Sequence, residues 1–228
     1  GVHLEGGSSV TALVSQSRFQ NNTASRGAGG GLNLVAFVAM EIAIVGSHFT
    51  RNLALVQGAG VSAVQNTPNA PANLLLGYVP ATQSSAYFPA VPALCYAEVN
   101  ETWREYNYSS PPMLIASSAF EANRAQLVNA STRLTANARV TGEAEEDEVV
   151  SSAGGGLYFI NFDAVLRDTN VTSNYAEING GGVQVGAGSG SLTVTGDSII
   201  RGNSAGESGS AIYAQSTGAV VLAEGAVV

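Results

Sequence analysis

The chain has 228 residues, a hydrophobic fraction of 45% and a charged fraction of 11%, enough apolar material for a sizeable core and too little charge for disorder by composition. All nine basic residues are arginine and the net charge is −8, but five of the 17 acids lie together between Glu143 and Glu148, which leaves the remainder near −3. A nucleic-acid partner is therefore not expected, no apolar run approaches the roughly 18 residues of a membrane span, and one cysteine, Cys95, allows no disulfide framework within the chain.

In chain order, the first strand-like stretch is Val10-Thr11-Ala12-Leu13-Val14. It is followed by the octet Ser17-Arg18-Phe19-Gln20-Asn21-Asn22-Thr23-Ala24 and by Gly29-Gly30-Gly31-Leu32. The same succession recurs. Glu41-Ile42-Ala43-Ile44-Val45 leads into Ser47-His48-Phe49-Thr50-Arg51-Asn52-Leu53-Ala54 and Gly58-Ala59-Gly60-Val61. A third octet, Ser118-Ala119-Phe120-Glu121-Ala122-Asn123-Arg124-Ala125, precedes Gly154-Gly155-Gly156-Leu157. A fourth, Thr169-Asn170-Val171-Thr172-Ser173-Asn174-Tyr175-Ala176, precedes Gly180-Gly181-Gly182-Val183. Ser191-Leu192-Thr193-Val194-Thr195 opens the fifth, Ser198-Ile199-Ile200-Arg201-Gly202-Asn203-Ser204-Ala205, whose glycine marker reads Ser208-Gly209-Ser210-Ala211.

The consensus is [Ser/Thr]-x-[Phe/Val/Ile]-x-x-Asn-x-Ala, with spacings of 30, 71, 51 and 29 residues between successive copies. A unit of 29–30 residues fits three short strands and three turns. That is one turn of a parallel β-helix, and the leucine-rich-repeat and propeller signatures are absent. In such a stack each residue lies over its counterpart about 4.8 Å away. Phe19, Phe49, Phe120, Val171 and Ile200 are then expected to form one inward column. Asn22, Asn52, Asn123, Asn174 and Asn203 are expected to form an amide ladder at a turn. The glycines supply positive φ at the next corner. The expectation is one β-helical unit over residues 1–228, about seven rungs with partial ones, with insertions at 66–111 and 126–152. The ends break the pattern, as in a fragment of a longer chain.

The repeated Gly-Gly-[Ala/Leu/Val/Ile] and Phe-x-x-Asn motifs resemble those of the chlamydial polymorphic outer membrane proteins, and of some large algal and protist surface proteins, over most of residues 6–215 apart from the insertions. The resemblance implies a right-handed parallel β-helix that serves adhesion or surface architecture, at an extracellular or cell-surface location such as a cell wall or ciliary surface. Implied partners are other subunits, other domains of one long chain, or surface glycans. The pattern departs where Val171 and Ile200 replace Phe and in the fifth glycine marker.

Several residues invite a chemical reading. The segment 66–111 carries Trp103, Tyr96, Tyr106 and Tyr108, residue types that anchor interfaces. Sequons for N-glycosylation stand at Asn21, Asn100, Asn107, Asn129 and Asn170. The alternative to a scaffold is a polysaccharide lyase, hydrolase or carbohydrate-binding module of the pectate-lyase-like class, which would use carboxylates from adjacent rungs. Asp168 and Asp197, each three residues before its column position, are the candidate pair for catalysis or a bound metal. The acidic run in the insertion 126–152 reads as a solvated loop, or as a calcium site, although the calcium-loop spacing is absent there. His3 and His48 read as surface residues. The expectation is a non-enzymatic scaffold without a cofactor.

Overall fold

The computed structural model describes residues 1–6, 9–25, 27–36, 39–65, 98–99, 102–103, 113–126, 152–161, 163–186, 190–215 and 219–228. Among these residues every element is a strand, and the chain is a parallel β-solenoid. One circuit consists of four strands. The first is β1 (Val2–Gly6), β2 (Ser9–Ser15), β3 (Arg18–Gln20) and β4 (Thr23–Ala24); the second is β5 (Leu32–Ala36), β6 (Ala39–Val45), β7 (His48–Thr50) and β8 (Leu53–Ala54). The third is β9 (Val61–Gln65), β12 (Met113–Ala116), β13 (Ala119–Glu121) and β14 (Arg124–Ala125), with a short antiparallel pair, β10 (Glu98–Val99) and β11 (Thr102–Trp103), between its first two strands. The fourth is β15 (Leu157–Ile160), β16 (Ala164–Arg167), β17 (Asn170–Thr172) and β18 (Tyr175–Ala176). The fifth is β19 (Val183–Val185), β20 (Leu192–Thr195), β21 (Ile199–Arg201) and β22 (Ser204–Ala205), and β23 (Ile212–Ala214) and β24 (Val220–Leu222) begin a sixth.

Corresponding strands stack into four parallel sheets, here called the first to fourth in the order in which a circuit visits them. The sequence led us to expect three strands of about equal length and about seven rungs. The described residues instead form four strands per circuit and five complete circuits. The octet is long enough to hold two strands because a tight bend divides it at Asn21, Arg51, Ala122, Ser173 and Gly202, all at φ between 53° and 62°.

Alternation explains the core. In the first two sheets Leu32, Leu34, Ile42, Ile44, Val61, Met113, Ile115, Leu157 and Phe159 belong to the apolar core, at alternate positions along their strands. The third sheet adds the column Phe19–Phe49–Phe120–Val171–Ile200, in direct register. Phe19 stacks on Phe49 with ring centroids 4.6 Å apart, and Phe49 on Phe120 at 4.9 Å. The rung spacing sets this separation, so the rings are nearly parallel. In the fourth sheet Ala54, Ala125 and Ala176 pack with Ala59 in a small buried cluster, with Ala24 against it.

Two polar ladders close the third sheet at either end. At its exit, Asn52 Nδ2 donates to Asn123 Oδ1 at 2.9 Å and to the Phe19 carbonyl at 2.9 Å, while the Asn52 main-chain N–H donates to the same Asn123 oxygen at 3.0 Å. The next rung repeats the arrangement with Asn123, Asn174 and Phe49, and the one after with Asn174, Asn203 and Phe120. At its entry, Ser47, Ser118, Thr169 and Ser198 are buried, and their hydroxyls return to carbonyls two or three residues earlier in the chain. These buried polar side chains are thereby satisfied.

The glycine markers divide their work. Only the first of each set, Gly29, Gly58, Gly154, Gly180 and Gly209, has positive φ. The third lies against the next rung: a Cβ on Gly31, Gly60, Gly156 or Gly182 would stand 2.5–2.7 Å from the carbonyl oxygen of Gly60, Gly156, Gly182 or Ala211. Val183 pairs with Ile212, so the fifth marker is Gly209-Ser210-Ala211-Ile212, one residue later than its sequence suggests. Ala211 keeps its Cβ because no described rung of this sheet lies beyond it.

Candidate functional site

The carboxylate pair does not form as aligned from sequence. The Asp168 N–H donates to the Thr195 carbonyl, and Asp168 shares the left-handed backbone position of its column with Gln16, Gly46, Ser117 and Gly196, not with Asp197. The fifth circuit holds one more residue at this corner than the fourth, which moves Asp197 out of register. Asp168 Oδ1 accepts the main-chain N–H of Asp197 at 3.0 Å, so its carboxylate caps the neighbouring corner. Among the described residues no group of three or more His, Cys, Asp or Glu is placed to hold a metal.

The other sequence candidates divide. Asn21 and Asn170 are both exposed, the first at the bend of the octet and the second on the third sheet. Asn100, Asn107, Asn129, Tyr96, Tyr106, Tyr108 and Cys95 lie outside the described residues, as does the Trp103 side chain, whose backbone belongs to β11. The acidic run 143–148 lies outside them too. His48 is exposed; His3, also exposed, contacts Asn33 through Nδ1 at 2.9 Å and Glu5 through Nε2 at 3.5 Å.

The outward face of the third and fourth sheets carries a feature that the sequence reading passed over. Outward positions alternate with the core column, so Arg18 lies beside His48, Gln20 beside Thr50, and Leu53 beside Arg124 and then Tyr175. The Arg124 guanidinium carbon sits 5.3 Å from the centre of the Tyr175 ring, a cation–π contact. Between the second and third circuits a surface groove of about 380 Å³ is lined by Arg51, Asn52, Leu53, Ala122, Arg124 and Gln126. A smaller one of about 200 Å³, between the first and second circuits, is lined by Arg18, Gln20, His48 and Thr50. Arg18, Arg51 and Arg124 are exposed and have no carboxylate partner among the described residues. Glu121, exposed between Thr50 and Thr172, is the one acid within the octets. The signal was in the sequence: Arg18, Arg51, Arg124 and Arg201 all occupy variable positions of the octet, where the repeat leaves the side chain free.

A second unusual column lies on the first sheet. Ser62, Tyr158 and Gln184 are in register, alternate with core residues and are nonetheless buried. Burial pushes the Tyr158 hydroxyl up to about 12. Ser62 Oγ and Gln184 Oε1 on either side have no hydrogen-bond partner among the described residues. Comparison with protein-family models, curated proteins and solved structures gives no match to this chain.

Proposed function

We propose that this chain is an extracellular structural and adhesive scaffold, a right-handed β-helical part of a larger surface protein or assembly. The observation that carries the reading is the continuity of the asparagine ladder from Asn22 to Asn203. It passes the points where the third circuit admits long insertions without losing register, as expected of a frame that displays loops and a patterned face. Right-handed winding is supported by the strong preference of parallel β crossovers for that hand. The repeat resemblance to polymorphic outer membrane proteins points the same way, and exposed sequons at Asn21 and Asn170 suit a glycosylated surface protein. The enzyme alternative has less support, because the Asp168 carboxylate is engaged by the Asp197 backbone and faces no second carboxylate in its column.

The test is surface labelling of intact source cells with a membrane-impermeant carboxyl-directed reagent, since the chain has no lysine, followed by mass analysis before and after enzymatic deglycosylation. Labelled protein that loses glycan mass at Asn21 or Asn170 supports the reading. Protein that is protected until the cells are lysed and carries no glycan overturns it.

A further inference from the structure

We infer that the strip from Arg18 through Arg51 to Arg124 binds an anionic polysaccharide, an extended glycan bearing carboxylate or sulfate groups. The inference deepens the scaffold reading by naming what the adhesive face would hold, and it rests on that reading for its biological setting only. Four observations carry it.

The cations have no ion-pair partner among the described residues. Within a chain of net charge −8, Arg18 on the third sheet, Arg51 at the bend and Arg124 on the fourth sheet are all exposed. Guanidinium forks recognise planar carboxylate and tetrahedral sulfate oxygens with paired hydrogen bonds.

The larger groove has the chemistry of a sugar subsite. Leu53 and Ala122 contribute apolar lining, while Arg51, Arg124 and Gln126 contribute hydrogen-bond donors. A pyranose ring can lay its C–H face on the apolar lining and direct its acidic group to the donors. Arg124 is restrained over Tyr175, which lowers the entropy lost on binding.

Arg51 is held against a backbone cost. It occupies φ +54 in a column otherwise filled by Asn21, Ala122, Ser173 and Gly202. Asparagine and glycine accept this conformation most readily. A bulky cation there is a poor choice for stability and a good one for a side chain that must project from a tight bend. Ala122, one rung further, leaves the space into which the groove opens.

The donors also recur along the stack. The smaller groove is built from the first and second circuits on the third sheet and the larger from the second and third circuits at the bend and fourth sheet, so successive rungs each offer donors to an extended polymer. A protein partner would want large apolar anchors. Among the described residues the exposed large hydrophobics are Val2, Leu13, Val220, Val221, Leu222, Val227 and Val228, none of them on this strip.

The test uses the full chain in a binding titration with alginate, dextran sulfate, neutral dextran and polyglutamate, at low and at physiological salt. The expected result is binding to alginate or dextran sulfate that weakens with salt, with no binding to neutral dextran and weaker binding to polyglutamate. Alginate and dextran sulfate separate carboxylate from sulfate recognition. Arg51→Asn and Arg124→Gln should each weaken binding about tenfold or more, while Arg167→Gln on the second sheet leaves it unchanged. Arg51→Asn should also fold at least as stably as the parent, so loss of binding cannot be ascribed to unfolding. Equal binding to neutral dextran, tighter binding to polyglutamate, no binding to either polyanion, or indifference to both strip variants would overturn the inference. A surface-labelled protein that binds none of these polymers leaves the scaffold reading standing and removes only this one; binding by a protein found inside cells does the reverse.

Discussion

A single asparagine in this fold does several jobs at once. Asn123 is fully buried; its oxygen accepts two hydrogen bonds from Asn52, and its nitrogen donates to Phe49 and Asn174. Removing it strands the Asn52 main-chain N–H and the Phe49 carbonyl in the interior. Each orphaned group costs about 1–3 kcal/mol, so Asn123→Ala should destabilise by about 3 kcal/mol, measured as the shift of the urea midpoint. Asn22, only partly buried, has solvent available to replace its partners, and Asn22→Ala should cost about 1 kcal/mol or less.

Tyr158 gives a prediction of the same scale in pH. Its hydroxyl ionises near 12 in the fold and near 10 in the unfolded chain. Between these values the folded state retains a proton that the unfolded state has lost. Its contribution to stability is therefore fully present below pH 10 and is lost as pH rises toward 12, by up to about 1.4 kcal/mol per unit. The difference in unfolding midpoint between the parent and Tyr158→Phe should change over this window and stay constant between pH 7 and 9.

At the scale of the strand and corner, spacing between rungs decides what each position accepts. Gly60 stands where a Cβ would meet the Gly156 carbonyl oxygen at 2.5 Å, and a backbone atom cannot swing aside as a side chain can. Gly60→Ala should therefore cost about 2–3 kcal/mol, whereas Ala211→Gly at the equivalent corner of the last rung should stay within about 1 kcal/mol. Comparative thermal melts of the two variants test this.

The same contrast explains what could be read from the sequence. Positions with a neighbour on both sides, such as Phe49 and Asn52, repeat faithfully, so the period and the strand order were legible. The last glycine marker was misaligned by one residue because Ala211 escapes the packing rule. Asp168 was matched to Asp197 because an extra residue enters the corner at Gly196, a change that leaves no mark on the octets either side. The division of the octet into two strands was missed because the bend is set by backbone conformation, which Asn21, Arg51, Ala122, Ser173 and Gly202 adopt without a shared side chain. The arginine strip was visible only as variation within a repeat.

For the molecule as a whole, the account holds that one ladder runs through five circuits and that the long insertions depart from it without contributing to its register. Gln126 and Ser152 stack on Glu177 and Ile178, which are consecutive in the fourth circuit. Joining Gln126 directly to Ser152, with residues 127–151 deleted, should therefore leave the far-ultraviolet circular dichroism per strand residue intact and the urea midpoint within the range of a surface change, about 0.5 kcal/mol.

The most direct test of the continuous ladder is native-state hydrogen exchange at the main-chain amides of Asn22, Asn52, Asn123 and Asn174, each of which donates to the asparagine of the following circuit. The account predicts that Asn52, Asn123 and Asn174 exchange slowly and with similar protection, because they open only when the stack opens, with Asn22 faster at the edge. Rapid exchange at Asn52 or Asn123 beside strong protection at Asn174 would mean that the stack is broken where the insertions leave it, and would contradict the single-scaffold account.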